Sequence, residues 1–130
     1  MSSLYSRGNA ILPFTPSATH VDMEGYLVTL AVETATISAS ATVPAEGVIL
    51  DGRPTTGKSA IGILGGLAAP IRMRASGAIV KGDRLQQAAD GTVVTDAGPG
   101  TARVVVGLAL EAAVSGQLFE AVSFTPMILP

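Results

Sequence analysis

The sequence predicts an all-β fold, a small barrel or sandwich with little helix and an extended N-terminal arm, on three observations. Fifteen glycines and eight prolines interrupt the 130 residues so often that no amphipathic helix of ordinary length fits between them. Val, Ile and Thr fill the intervals, and these residues favour a pleated, half-buried surface. Short apolar runs recur between turn signals about every 8–12 residues, the rhythm of small barrels and sandwiches.

Residues 1–20 differ from the rest. Pro13 and Pro16 stand among Ser, Thr, Leu4, Tyr5, Ile11, Leu12 and Phe14, and no period of 2 or 3.6 survives them. An extended arm that orders on a partner fits this composition better than a frayed terminus, which seldom carries so many large apolar residues. Residues 21–130 then form a single barrel or sandwich domain.

From Gly25 the pattern sharpens. Tyr26 to Val32 reads as a strand buried on both faces, and Thr34 to Thr42 alternates small apolar with Thr or Ser, the mark of a half-buried strand. Pro44 to Gly47 is a turn, Val48 to Leu50 a short strand ending at Asp51-Gly52, and Ile61 to Leu64 another before Gly65-Gly66. In Pro70 to Ala75, Arg72 and Arg74 lie opposite Ile71 and Met73. Ala78-Ile-Val, a turn at Lys81-Gly-Asp, and Arg84 to Ala88 form a strand, turn, strand unit. Asp90-Gly91 is a strong hairpin signal into Thr92 to Thr95. Arg103 to Glu111 is the most apolar run, Ala112 to Gly116 a bend, and Leu118 to Phe124 alternates to the end of the domain.

Composition excludes several classes of function. With 48% hydrophobic and 14% charged residues and a mean hydropathy of +0.49, the chain is too apolar for disorder and unusually poor in charge for a water-exposed surface. A membrane-spanning helix needs about 20 apolar residues, whereas the best charge-free stretch, Ser59 to Ile71, is shorter and broken by Gly62, Gly65, Gly66 and Pro70. Eight basic against ten acidic residues, with 4% aromatics, leave no basic face or stacking platform for nucleic acid. Without cysteine there is no disulfide, thiolate metal site or Cys nucleophile. The N-terminus lacks the cationic and apolar regions of a secretory signal, so synthesis in the cytoplasm without processing is expected.

Four motifs invite chemistry. Gly52-Arg-Pro-Thr-Thr-Gly57-Lys58-Ser59 satisfies the phosphate-loop expression and follows a plausible strand. That mechanism needs a helix starting at the Lys, whose free N–H groups hold the phosphates, but Gly62, Gly65, Gly66 and Pro70 follow. A Gly/Thr-rich surface loop with a solvated Lys58 is the reading preferred here. Lys81 in Ser76 to Leu85 is placed like the modified lysine of a lipoyl or biotinyl carrier hairpin, but its flanks, Val80 and Gly82, match neither carrier type, and a turn with Gly82 at positive φ explains it. His20, the single histidine, excludes a multi-His metal site and with Asp22 and Glu24 offers at most a mixed one, a solvated polar hinge being the simpler account. No nucleophile elbow accompanies it. Of the carboxylates available for acid–base work, Asp51, Asp83, Asp90, Asp96, Glu111 and Glu120, several stand beside Gly in turns, where local backbone hydrogen bonds account for them. Neither an active site nor a cofactor is expected.

Residues 24–124 resemble a family of small tailed-phage capsid proteins, the cement or decoration proteins. The resembling segments are Glu24 to Val28, Pro44 to Gly52, Ala75 to Leu85, Ala89 to Gly91 and Val104 to Ala113 with Gly116-Gln117. The resemblance implies a non-enzymatic virion protein on the exterior of an icosahedral shell, bound to the major capsid protein, commonly trimeric, and holding neighbouring capsomers together. It also implies a role for the arm, for which Leu4, Tyr5, Arg7, Ile11, Leu12 and Phe14 are the candidates by position alone. Two rival readings remain: a nucleotide binder using Gly52 to Ser59, and a carrier or interaction module.

Overall fold

A computed structural model describes residues 10–67 and 69–130. Ten strands follow in order: β1 (Ile11–Pro16), β2 (Leu27–Leu30), β3 (Thr34–Ile37), β4 (Gly47–Asp51), β5 (Ser59–Ile63), β6 (Ile71–Arg74), β7 (Arg84–Gln87), β8 (Val93–Thr95), β9 (Arg103–Ala109) and β10 (Leu118–Leu129). The described residues contain no helix, and the all-β expectation is met.

The strands form two curled units. β1 to β5 make a closed barrel in the order β1-β3-β2-β4-β5, and β6 to β10 a five-stranded sheet in the order β6-β10-β9-β7-β8. Closure depends on β1, which runs antiparallel to β5 from Ile11 opposite Gly62 to Phe14 opposite Ser59. It then meets β3 in parallel at Thr15 and Pro16. The expected arm over residues 1–20 therefore divides. Residues 1–9 lie outside the described residues, whereas 11–16 are extended but bound into the chain's own barrel. Prolines permit this because an edge position can lack an N–H donor. The second sheet also curls, its two edges meeting where Ala75 bridges Val93.

One wall of the barrel faces two cores. In β2, Leu27 points to the second sheet and Val28 into the barrel, and both are fully buried. Val48 and Ile49 of β4 repeat the pattern. The barrel interior gathers Val28, Ala35, Ile49 and Ile61, with Phe14, Tyr26 and Leu30 packed against them. The larger core sits between the units and joins Leu27, Val48 and Leu64 to Met73, Leu85, Val106 and Phe119. Burying each large aliphatic side chain contributes about 1.5–3 kcal/mol.

The Asp90-Gly91 hairpin lies where the sequence predicts. Gly91 has φ +83° and its backbone rests on the barrel, where a Cβ would come within 2.8 Å of Ile37. Its carbonyl accepts from the Leu27 N–H at 2.8 Å, so only glycine suits both the turn and the close approach. Arg72 is exposed and Arg74 half-buried, while Ile71 and Met73 are buried, as the alternation indicates.

Other expected strands are shortened or absent. The strand expected over 34–42 stops at Ile37, because Gln87 of the other sheet captures the loop that follows. Gln87 is 1% exposed; its Nε2 donates to the carbonyls of Ser40 and Val43, and its Oε1 accepts from the Ala45 N–H at 3.0 Å. Ala78 to Val80 forms only an isolated bridge, Ile79 to Ala113. β10 runs on to Leu129, beyond the Phe124 expected as its end.

Gln87→Leu strands one buried donor and two carbonyls. We expect a loss of about 2–4 kcal/mol in chemical denaturation, against little change for the exposed Gln117→Leu.

Candidate functional site

The segment Gly52 to Ser59 joins two antiparallel strands, β4 and β5, so it is a hairpin loop. Ser59 and Ala60 begin β5 where a phosphate loop would begin its helix. The Gly57 N–H donates to the Pro54 carbonyl at 2.9 Å, closing a turn, and Lys58 is exposed beyond it. Gly52 and Ser59 of the expression have local structural reasons. Gly52 is pressed against the His20 carbonyl, where a Cβ would collide. Ser59 is fully buried, and its Oγ accepts from the Arg53 N–H at 3.0 Å. Without a helix N-terminus the N–H groups do not converge on an anion.

His20 is not a solvated hinge. It is 1% exposed, with Nδ1 3.0 Å from Ser59 Oγ, and its backbone N–H donates to the Arg53 carbonyl at 2.9 Å. Since the Arg53 N–H already occupies one lone pair of the hydroxyl, the hydroxyl proton is best donated to Nδ1. That leaves the ring proton on Nε2. Nε2 is buried without a hydrogen-bond partner of good geometry. Burial lowers the imidazole pKa from its ordinary 6.5, and the nearby Ala35 carbonyl opposes this only in part. Ser59 and His20 make a buried pair that ties the start of β5 to the β1–β2 loop. Glu24 Oε2 accepts from the Gly52 N–H at 3.3 Å. Among the described residues no cluster of three or more His, Asp or Glu side chains is placed to hold a metal ion.

The sequence offered no warning that His20 would be buried, since its neighbours Thr19, Val21 and Asp22 read as a loop. Its partner Ser59 lies 39 residues away, and only barrel closure brings the two together.

All the candidate carboxylates but Glu120 are engaged by neighbouring groups. Asp51 pairs with Arg53 at 2.8 Å on the surface. Asp83 accepts from the Val80 N–H at 3.0 Å and the Thr95 hydroxyl at 2.9 Å, and Asp90 accepts from the Thr92 N–H and hydroxyl. Glu111 accepts from the Glu120 N–H at 2.9 Å, while Glu120 itself is exposed. Lys81 is exposed in the turn before β7, next to Gly82 at φ +94°. These placements explain the residues as turn chemistry.

Asp96 is the exception in strength. It pairs with Arg103, whose side chain is 6% exposed, and with Arg84 at 3.0 Å. The hydrogen bond from Arg103 is the main reason its pKa falls from 3.8 to about 2, with the Gly98 N–H and Arg84 adding to it and burial opposing. Arg103 also donates to the Pro130 carbonyl at 2.8 Å, so this cluster fastens the end of β10.

Of the arm candidates, Leu4, Tyr5 and Arg7 lie outside the described residues. Phe14 is half-buried and packs on the barrel core, Leu12 is half-buried, and Ile11 is 44% exposed. Other apolar side chains stand in the open: Val32 at 95% at the tip of the β2–β3 turn, and Met127 and Ile128 at 48% and 62% on β10. β6 pairs only with residues 118–121 of β10. Past them, β10 keeps β9 on one side and has no strand paired to the other among the described residues. A cleft of about 250 Å³ between the units is lined by Glu24, Gly25, Ile49, Leu50, Arg72 and Leu118.

No protein-family model and no curated protein matches the chain. Among solved structures, the N base of the head fibre protein gp8.5 of bacteriophage phi29 superposes with a TM-score of 0.64 over 92% of this chain and 97% of that one, at 23% identity. The chain shares the fold of that solved structure. At this identity the likeness is one of architecture, and it extends through both units.

Two outcomes follow. ATP with Mg²⁺ leaves the thermal midpoint unchanged, and Lys58→Ala does the same; a midpoint shift that Lys58→Ala removes would restore the phosphate-loop reading. Asp96 binds protons less readily folded than unfolded, so the stability it contributes is present above pH 3.8 and is lost as pH falls through about 2. Asp96→Asn is expected to lower the midpoint at pH 7 and to flatten the acid limb between those values, as read by circular dichroism.

Proposed function

We propose that this protein is a structural component of a phage virion, bound to the outer surface of an icosahedral capsid, where it cements neighbouring capsomers and stabilises the head. The fold shared with a phage head-fibre base over 92% of the chain is the observation that carries this reading. Its partners are the major capsid protein and further copies of itself, with a trimer as the assembly, and it acts on the virion exterior after synthesis in the host cytoplasm. Of the expected 1–20 arm, residues 1–9 are the capsid-facing element of the proposal, and the barrel that β1 closes belongs with the second sheet to the body. Leu4, Tyr5 and Arg7 are the proposed recognition residues, and Ile11, exposed on β1, adds to them.

The physical chemistry of the surface supports the assignment. Only 14% of residues are charged, and Val32, Met127 and Ile128 stand exposed, so contact with another protein removes apolar surface at about 25 cal/mol per Å² without desolvating many charges. An extended segment also gains main-chain hydrogen bonds when it joins a partner's sheet edge. No side chain arrangement among the described residues favours catalysis, and the reading is non-enzymatic.

Because β1 closes the barrel, the informative truncation removes residues 1–9 and spares Ile11 to Pro16. The full chain is expected to co-sediment with capsids of the phage that encodes it and to raise their resistance to heat, and to sediment alone as a trimer. The truncated chain should melt as the full one does and lose capsid binding. Undiminished decoration by the truncated chain removes the arm from the proposal, and failure of the full chain to bind capsids removes the proposal itself.

A further inference from the structure

The loops at one end of the barrel, residues 17–26 between β1 and β2 and 52–58 between β4 and β5, meet at His20, with Glu24 Oε2 accepting from the Gly52 N–H beside it. His20 is enclosed by them. Its ring touches Ser59, its backbone N–H reaches the Arg53 carbonyl, its carbonyl accepts from the Met23 N–H at 2.9 Å, and Gly52 lies flat against it. The Ser17 N–H donates to the Ala35 carbonyl at 3.0 Å, where the end of β1 is seated on β3. Thus His20, by its ring on Ser59 and its backbone on Arg53 and Gly52, connects the β4–β5 hairpin to the exit of the strand that closes the barrel.

The arrangement accepts a neutral ring and not a charged one. A protonated ring donates from both nitrogens. Ser59 Oγ would then have to accept from Nδ1 as well as from the Arg53 N–H, and turn its own proton toward a new acceptor in a fully buried position. The Nε2 proton lacks a partner of good geometry in either state, and the nearby Ala35 carbonyl offsets burial only in part, so protonation at Nδ1 adds a buried charge without compensating hydrogen bonds, which is costly.

No neighbouring charge repairs this. Asp22 and Glu24 lie on the same loop, Asp51, Arg53 and Lys58 on the facing one, and Glu33 in the turn before β3. Glu24 is engaged with the Gly52 N–H and Asp51 with Arg53, Asp22 and Lys58 are exposed, and none hydrogen-bonds the ring. β1, β3 and β5 bring only Ile, Leu, Pro, Phe, Thr, Ala, Ser and Gly to the surroundings.

We propose that His20 is an acid-released latch, whose protonation expels the ring from between the two loops and opens this end of the barrel while the second sheet stays folded. The lowered pKa of the buried imidazole agrees with this. A group whose folded pKa is lowered and which is cationic when protonated stabilises the closed form above its unfolded value of 6.5, and that stability declines as pH falls below it.

Amide hydrogen exchange on the full chain at pH 7.5 and 5.5, with rates corrected for intrinsic pH dependence, tests the latch. Protection of the His20 and Arg53 amides is expected to fall by up to about tenfold per pH unit below 6.5, while the amides of Val104 to Val106 in β9 keep theirs. His20→Gln should remove the difference between the two pH values. The titration of the ring itself, followed by its NMR shifts in the unaltered chain, requires no variant and should centre below 6.5. A ring that titrates at 6.5 or above, or loop amides equally protected at both pH values, overturns the proposal.

Discussion

The wall made by β2 and β4 has a core on each side, and the rest of the molecule depends on it. Alternation normally gives a strand one dry face and one wet face. Here Leu27 and Val28, and again Val48 and Ile49, are all buried, because the barrel closes on one side and the second sheet packs on the other. Loss of either unit would expose apolar side chains of the other, so the two are stable together. Gly91 and Gln87 complete the union from the second sheet, the first by backbone contact and the second by three hydrogen bonds to one loop.

A chain with few charges uses its polar residues for position. Gln87, Ser59, His20 and Arg103 are buried, and each ties together segments that are distant in sequence. Ser59 and Gln87 satisfy backbone groups that would otherwise be stranded in an apolar interior. Arg103 does so for the last carbonyl while its charge is neutralised by Asp96. The residues most suggestive of chemistry in the linear sequence are thus consumed by architecture. The exposed Val32, Met127 and Ile128 are where its apolar excess reaches solvent.

The phosphate-loop expression shows how local spelling and tertiary use part company. Its first glycine is needed beside the His20 carbonyl, its last serine anchors the Arg53 amide, and its lysine is left in water. The absent helix could be anticipated from Gly62, Gly65 and Gly66, because helix propensity is a property of neighbouring residues. The burial of Ser59 could not, since it depends on β1 pairing with β5, where Phe14 stands opposite Ser59.

By itself the sequence determined the fold class, the Asp90-Gly91 hairpin, and the facing of Ile71 and Met73 against Arg72 and Arg74. These follow from periodicity, turn stereochemistry and composition, which act over a few residues. Tertiary structure alone decided that residues 11–16 belong to the barrel, that the strand begun at Thr34 ends at Ile37, and that His20 meets Ser59. Each of these depends on a partner many residues away: β5 for β1, Gln87 for the loop after β3, the β4–β5 hairpin for His20. An extended, proline-containing segment reads the same whether it crosses its own barrel or reaches for another protein, because the backbone hydrogen bonds that distinguish the two are made with distant chain.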